Sequence, residues 1–100
     1  MSQSAGHTPV HPGTLLRRKL GALDCTRAAA ARHMRFSRQT LYEIITGKQS
    51  ITTRAALRIA KLTGTSAEMW LGMQQTHDLA IVRKKDLEII KSVPVLGDRW

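Results

Sequence analysis

Arg38 and Gln39, then Tyr42 and Glu43, then Thr46, place hydrogen-bonding groups at the spacing of one helical face. An arginine can donate two parallel N–H bonds to a guanine edge, and a glutamine can donate and accept at once on adenine. Two such side chains at the leading end of an exposed helix suit the reading of bases in a DNA major groove. A plain solvated helix surface is the other use of the same groups.

The elements that would position them are legible around this face. Leu41, Ile44 and Ile45 form the opposite, apolar stripe, Ser37 is a good N-cap, and Gly47 is a good stop. Upstream, Asp24-Cys25-Thr26 offers a cap for a short helix from Arg27 to Met34, whose consecutive alanines favour helix and allow close backbone approach. Two short helices so joined form a helix-turn-helix, in which the second helix enters the major groove.

The rest of the chain reads as helical support. His11-Pro12-Gly13 opens a first helix through about Ala22, with Leu15, Leu16, Leu20 and Leu23 as its buried stripe. Ser50-Ile51-Thr52 caps a fourth helix, about Thr53 to Thr63, offering Ala56, Leu57, Ala60 and Leu62 for packing before Gly64 stops it. Thr65-Ser66-Ala67-Glu68 fits a capping box for a fifth helix reaching about Lys85, with Trp70 as a core anchor and Leu71, Met73, Ile81 and Val82 also available for packing. The predicted fold class is all-α, a five-helix domain over residues 11–85 with a flexible arm at 1–10 and a C-terminal extension at 86–100. Within that extension Leu87 to Leu96 is β-branched and partly alternating; it could add a strand to a partner's sheet, fold back, or stay mobile.

Charge sharpens the functional reading. Sixteen Lys and Arg against seven acids give a net charge of +9, and residues 12–50 alone hold eight basic residues and two acids. The excess lies where attraction to phosphates would need it. A basic membrane-surface helix of good length is not apparent. No apolar run approaches the roughly 20 residues that span a bilayer, and Met1 to Val10 lacks a signal-peptide core. The single Cys25 cannot form an internal disulfide, which fits a reducing, cytoplasmic setting. His7, His11, His33 and His77 lack metal-ligand spacing with Cys25, and the acids are scattered, so neither a catalytic site nor a metal or cofactor is expected.

The helix order and segment 26–47 resemble the phage-repressor and Cro class. More narrowly, His11-Pro12-Gly13, Ser37-Arg38-Gln39-Thr40-Leu41, Gly47-Lys48, Ala56-Leu57-Arg58-Ile59-Ala60, Gly64-Thr65-Ser66, Trp70-Leu71 and Asp78-Leu79 look like the HigA antitoxin family over about residues 11–79. The chain departs from that pattern at Thr14, where the family often has Glu; at Arg35, where a turn glycine is common; and at Thr52-Thr53-Arg54, where Ser-Pro-Glu is usual.

The resemblance implies a dimeric repressor of its own operon, binding double-stranded operator DNA and neutralising a RelE-like, messenger-RNA-cleaving toxin. Residue by residue it puts Arg38, Gln39, Tyr42 and Glu43 at base-reading positions and Arg27, Ser37, Thr40 and Lys48 at phosphate-contacting ones. Tyr42 could instead cover apolar surface, and Glu43 could pair with a neighbouring Arg. A stand-alone repressor, or a protein-interaction module whose basic face stays solvated, are the alternative functions.

Overall fold

Five helices begin on a side chain that accepts one of their own unpaired backbone N–H groups. His11 Nδ1 accepts from Gly13 for α1 (Pro12–Ala22), Thr26 from Ala29 for α2 (Arg27–Met34), and Ser37 from Thr40 for α3 (Arg38–Thr46). Thr52 accepts from Ala55 for α4 (Thr53–Thr63), and Ser66 from Met69 for α5 (Ala67–Lys85). These caps satisfy donors that a helix cannot satisfy within itself. The structure, a computed structural model, describes residues 10–97, so the expected arm lies outside it except for Val10. Among the described residues there are helices and no strand, in agreement with the all-α prediction.

Three expectations need correction. Residues 87–92 of the segment read as a possible strand instead form a sixth helix, α6 (Leu87–Ser92), which follows α5 after Asp86 and buries none of its residues. The expected capping box does not form: Ser66, not Thr65, caps α5, while the Thr65 hydroxyl accepts the Trp70 Nε1 hydrogen at 2.7 Å. A buried indole N–H must find such a partner, and this need takes Thr65 away from the helix end. Finally, Leu57 does not join the core; it is 60% exposed, in an open groove with His33, Arg35 and Lys61. Ile81 and Val82 are likewise exposed.

The core gathers Leu16 and Leu20 of α1, Ala30, Ala31 and Met34 of α2, Leu41, Ile44 and Ile45 of α3, and Ala56 and Ile59 of α4 around the fully buried Trp70. Gln74 is the buried polar residue. Its Oε1 accepts the Ile51 backbone N–H at 2.8 Å and its Nε2 donates to Asp78 at 3.0 Å, which ties the loop after α3 to α5. Both ends of its amide are therefore satisfied, as burial demands.

Of the glycines among the described residues, Gly13 is the most closely approached, where α1 meets α3. A Cβ on Gly13 would overlap the backbone carbonyl oxygens of Ile44 and Ile45, lying 2.5 Å from the latter. Gly21, further along α1, has open space around it. Replacing Gly13 with Ala should therefore destabilise the protein by about 1–3 kcal/mol through forced displacement of α3. Gly21→Ala should stabilise it by about 0.5–1 kcal/mol through helix propensity. Urea titration of the two variants checks the pair, and equal stabilities would refute the close contact.

His11 caps α1, lies over Gly47 at the end of α3, and meets the His77 ring edge-on at 5.8 Å. Burial, with the neighbouring charge of His77 adding to it, lowers its pKa from the ordinary 6.5. A base whose pKa is lowered on folding is protonated first in the unfolded chain. The stability is thus complete above the unfolded value and declines as pH falls from about 6.5 toward the folded value. Between about pH 7.5 and about pH 5 the denaturation midpoint should drop, and drop less in His11→Asn, which keeps a capping side chain but no imidazole. Identical pH dependence in both proteins would remove His11 as the cause.

Candidate nucleic-acid interface

The turn between α2 and α3 is built on Arg35, the non-glycine residue with a positive φ among the described residues, at φ 64° and ψ 35°. A left-handed conformation costs a side chain about 1–2 kcal/mol. The surrounding bonds hold it: the Arg35 backbone N–H donates to Arg32, and Phe36 N–H donates to Ala31. From α4, Arg58 Nη1 donates to the Arg35 carbonyl at 3.2 Å while its guanidinium lies 5.6 Å from the Phe36 ring centre. The glycine common in the related pattern is thus dispensable, and α3 follows α2 in the expected geometry.

α3 buries Leu41, Ile44 and Ile45 and exposes Arg38, Gln39 and Tyr42, with Glu43 partly exposed. Arg38 is its first residue, so its guanidinium stands at the leading end. Gln39 Nε2 donates to Glu43 Oε2 at 2.7 Å, and Gln49 Nε2 donates to Glu43 Oε1 at 3.0 Å. Glu43 therefore pairs with two glutamines, not with an arginine. Tyr42 is 52% exposed, with the Lys48 ammonium 5.9 Å from its ring centre. This is a cation–π distance and ties a residue expected to read bases to one expected to touch phosphate.

The four residues expected at phosphates lie at helix ends. Arg27 opens α2, Ser37 caps α3, Thr40 is in the first turn of α3, and Lys48 follows its Gly47 stop. Arg27, Ser37 and Lys48 are exposed. Ser37 is occupied at home: its Oγ accepts the Thr40 N–H at 3.0 Å and donates to Thr40 Oγ1 at 2.9 Å. Thr40 keeps its own hydroxyl hydrogen for an external acceptor. No acidic residue stands in the first turn of α2, α3 or α4, so the positive ends of their helix dipoles are not neutralised there. Such ends, with exposed arginine and lysine beside them, attract phosphate.

Two residues escaped the sequence reading. Gln49 meets Glu43 because Gly47, at φ 83°, turns the chain back so that the Lys48 and Gln49 N–H groups both donate to the Glu43 carbonyl. A glycine stop followed at once by Lys48-Gln49 was the available signal. Gln74 acts across 23 positions of sequence and carried no local signal. Among the described residues, no three His, Cys, Asp or Glu side chains gather as a metal site would require, and no helix is long and apolar enough to cross a membrane.

A capped helix pair with the second helix's polar face exposed and its dipole end unopposed defines a DNA-binding helix-turn-helix domain. Comparison with known proteins agrees: the helix-turn-helix domain family model matches residues 13–70. Virulence-associated protein A′ of Dichelobacter nodosus is 36% identical over 75 residues, a match spanning 74% of this chain and 65% of that protein. An addiction module antidote protein of the HigA family from Coxiella burnetii superposes with a TM-score of 0.80 at 37% identity, covering 88% of this chain and 98% of its own. Pseudomonas aeruginosa antitoxin HigA, solved with the higBA promoter, gives 0.79 at 30% identity, covering 89% and 99%. The chain belongs to the HigA family of helix-turn-helix proteins.

Proposed function

We propose that this protein is the antitoxin of a type II toxin–antitoxin pair. In this reading it binds operator DNA as a homodimer, represses its own operon, and neutralises an RelE-like toxin that cleaves messenger RNA in the cytoplasm. The observation that carries the reading is the exposed face of α3, with Arg38 and Gln39 at its leading end, in a chain of the HigA family. A relative solved with its promoter supports DNA as the ligand. Arg38, Gln39 and Tyr42 are the direct base readers, Glu43 supports them on the same face, and Arg27, Thr40 and Lys48 are phosphate contacts around it. Ser37 serves the site chiefly by capping α3.

We place the second copy on exposed apolar side chains of α5 and α6. Leu79 and Val82 of α5 and Leu87 and Ile90 of α6 are each between 44% and 47% exposed. Val93 is more so. Exposed apolar side chains on two successive helices are what such an interface would cover. Paired copies would present two α3 helices to half-sites about one turn of DNA apart.

The DNA reading is tested on the segment upstream of the gene. Arg38→Ala should weaken binding there by about 1–3 kcal/mol and affect random DNA less. Arg27→Ala and Lys48→Ala should weaken both and flatten the slope of log affinity against log salt by about one contact each. Loss of neither specificity nor salt slope in any variant would refute the interface. Co-purification with the product of the adjacent reading frame tests the toxin; no complex with it favours a stand-alone repressor.

The dimer makes a separate prediction. A chain ending at Lys85 lacks α6 and should keep its helical circular dichroism while its self-association weakens at least tenfold in sedimentation, about 1.4 kcal/mol. Unchanged self-association would place the dimer elsewhere.

A further inference from the structure

Glu43 holds both carboxylate oxygens against neutral partners, Gln39 on its own helix and Gln49 beyond the Gly47 stop. A carboxylate only accepts hydrogen bonds, so each glutamine must turn its amide nitrogen toward it. For Gln39 this commits one Nε2 hydrogen, at 2.7 Å, and leaves one N–H and the Oε1 carbonyl for a ligand. Gln49 grips the second oxygen at 3.0 Å, so the carboxylate is restrained from two sides.

We propose that Glu43 is a positioning residue that sets the Gln39 amide for adenine and against guanine, an inference that rests on α3 being the base-reading helix. Adenine offers N7 as acceptor and its N6 amino group as donor in the major groove. These match the remaining N–H and carbonyl of Gln39. Guanine offers N7 and O6, both acceptors. A freely turning glutamine could direct both Nε2 hydrogens at them. The glutamine held by Glu43 has one left, and its carbonyl would face O6 lone pair to lone pair. The carboxylate charge works in the same direction, because it favours a nearby amino group over a second oxygen.

The test is selection of binding sites from a randomised DNA library with the full chain. It is followed by competition between selected duplexes that differ only at the position whose preference vanishes in Gln39→Ala. That position should be adenine, favoured over guanine by roughly tenfold or more. Glu43→Gln keeps the size and helix propensity of the side chain, but its amide both donates and accepts, so Gln39 can turn either way. The preference should then fall to about twofold or less, and circular dichroism should show the fold retained.

An undiminished preference in Glu43→Gln overturns the positioning role. So does the loss of preference at a different base pair, which would make Glu43 itself a reader. Guanine, cytosine or thymine at the Gln39 position overturns the adenine assignment while leaving the DNA-binding reading intact. If the wild-type chain enriches no sequence at all, the DNA-binding reading fails and this inference fails with it.

Discussion

Backbone meets backbone where α1 crosses the last turn of α3, and the arrangement of the interface depends on that contact. Gly13 has no side chain because the Ile44 and Ile45 carbonyls occupy the space a Cβ would need. The two residues before it serve the same junction. Pro12 is fully buried in the first turn of α1, where its fixed φ suits a helix start, and His11 both caps α1 and covers Gly47. One short segment thus starts a helix and seats the end of another. A recognition helix must be held rigidly while one face remains in solvent, and close approach at its far end meets that need without using its exposed side chains.

Two further ties fix α3 at its flanks, and their surroundings rank them. Gln74 is buried, so severing its bond to the Ile51 amide would strand a desolvated donor, a penalty of about 1–3 kcal/mol. Arg58 on the Arg35 carbonyl is more open to water, where hydrogen bonding exchanges with solvent and contributes less. The loop after α3 is therefore anchored more firmly than the turn before it. That loop also carries Lys48 and Gln49, the two residues that reach back to Tyr42 and Glu43.

Local signals accounted for most of the fold. Caps at Thr26, Ser37 and Thr52 and stops at Gly47 and Gly64 bound α2, α3 and α4 where the sequence pattern puts them. The pattern misled where local preference and local chemistry compete. Ile89, Ile90, Val93 and Val95 read as strand, yet with no strand to pair with among the described residues, residues 87–92 satisfy their backbone as a helix that follows α5. Leu57 fits the apolar periodicity of α4 but lies beyond the reach of the core, which α2 fills with alanines. Of the interface, the identities on the exposed face of α3 were legible because they follow from helical spacing. The glutamine pair around Glu43 was not, because it forms only after the chain has turned at Gly47.

The grip on Glu43 has an evolutionary consequence. Arg38 and Tyr42 project from a helix whose packing residues lie on the other side, so either can change with little effect on folding. Gln39, Glu43 and Gln49 are different, since each satisfies another's hydrogen bonds. A change in one leaves the others poorly matched until they change too. Under the proposed reading, divergence at this trio among related regulators would come in concerted steps.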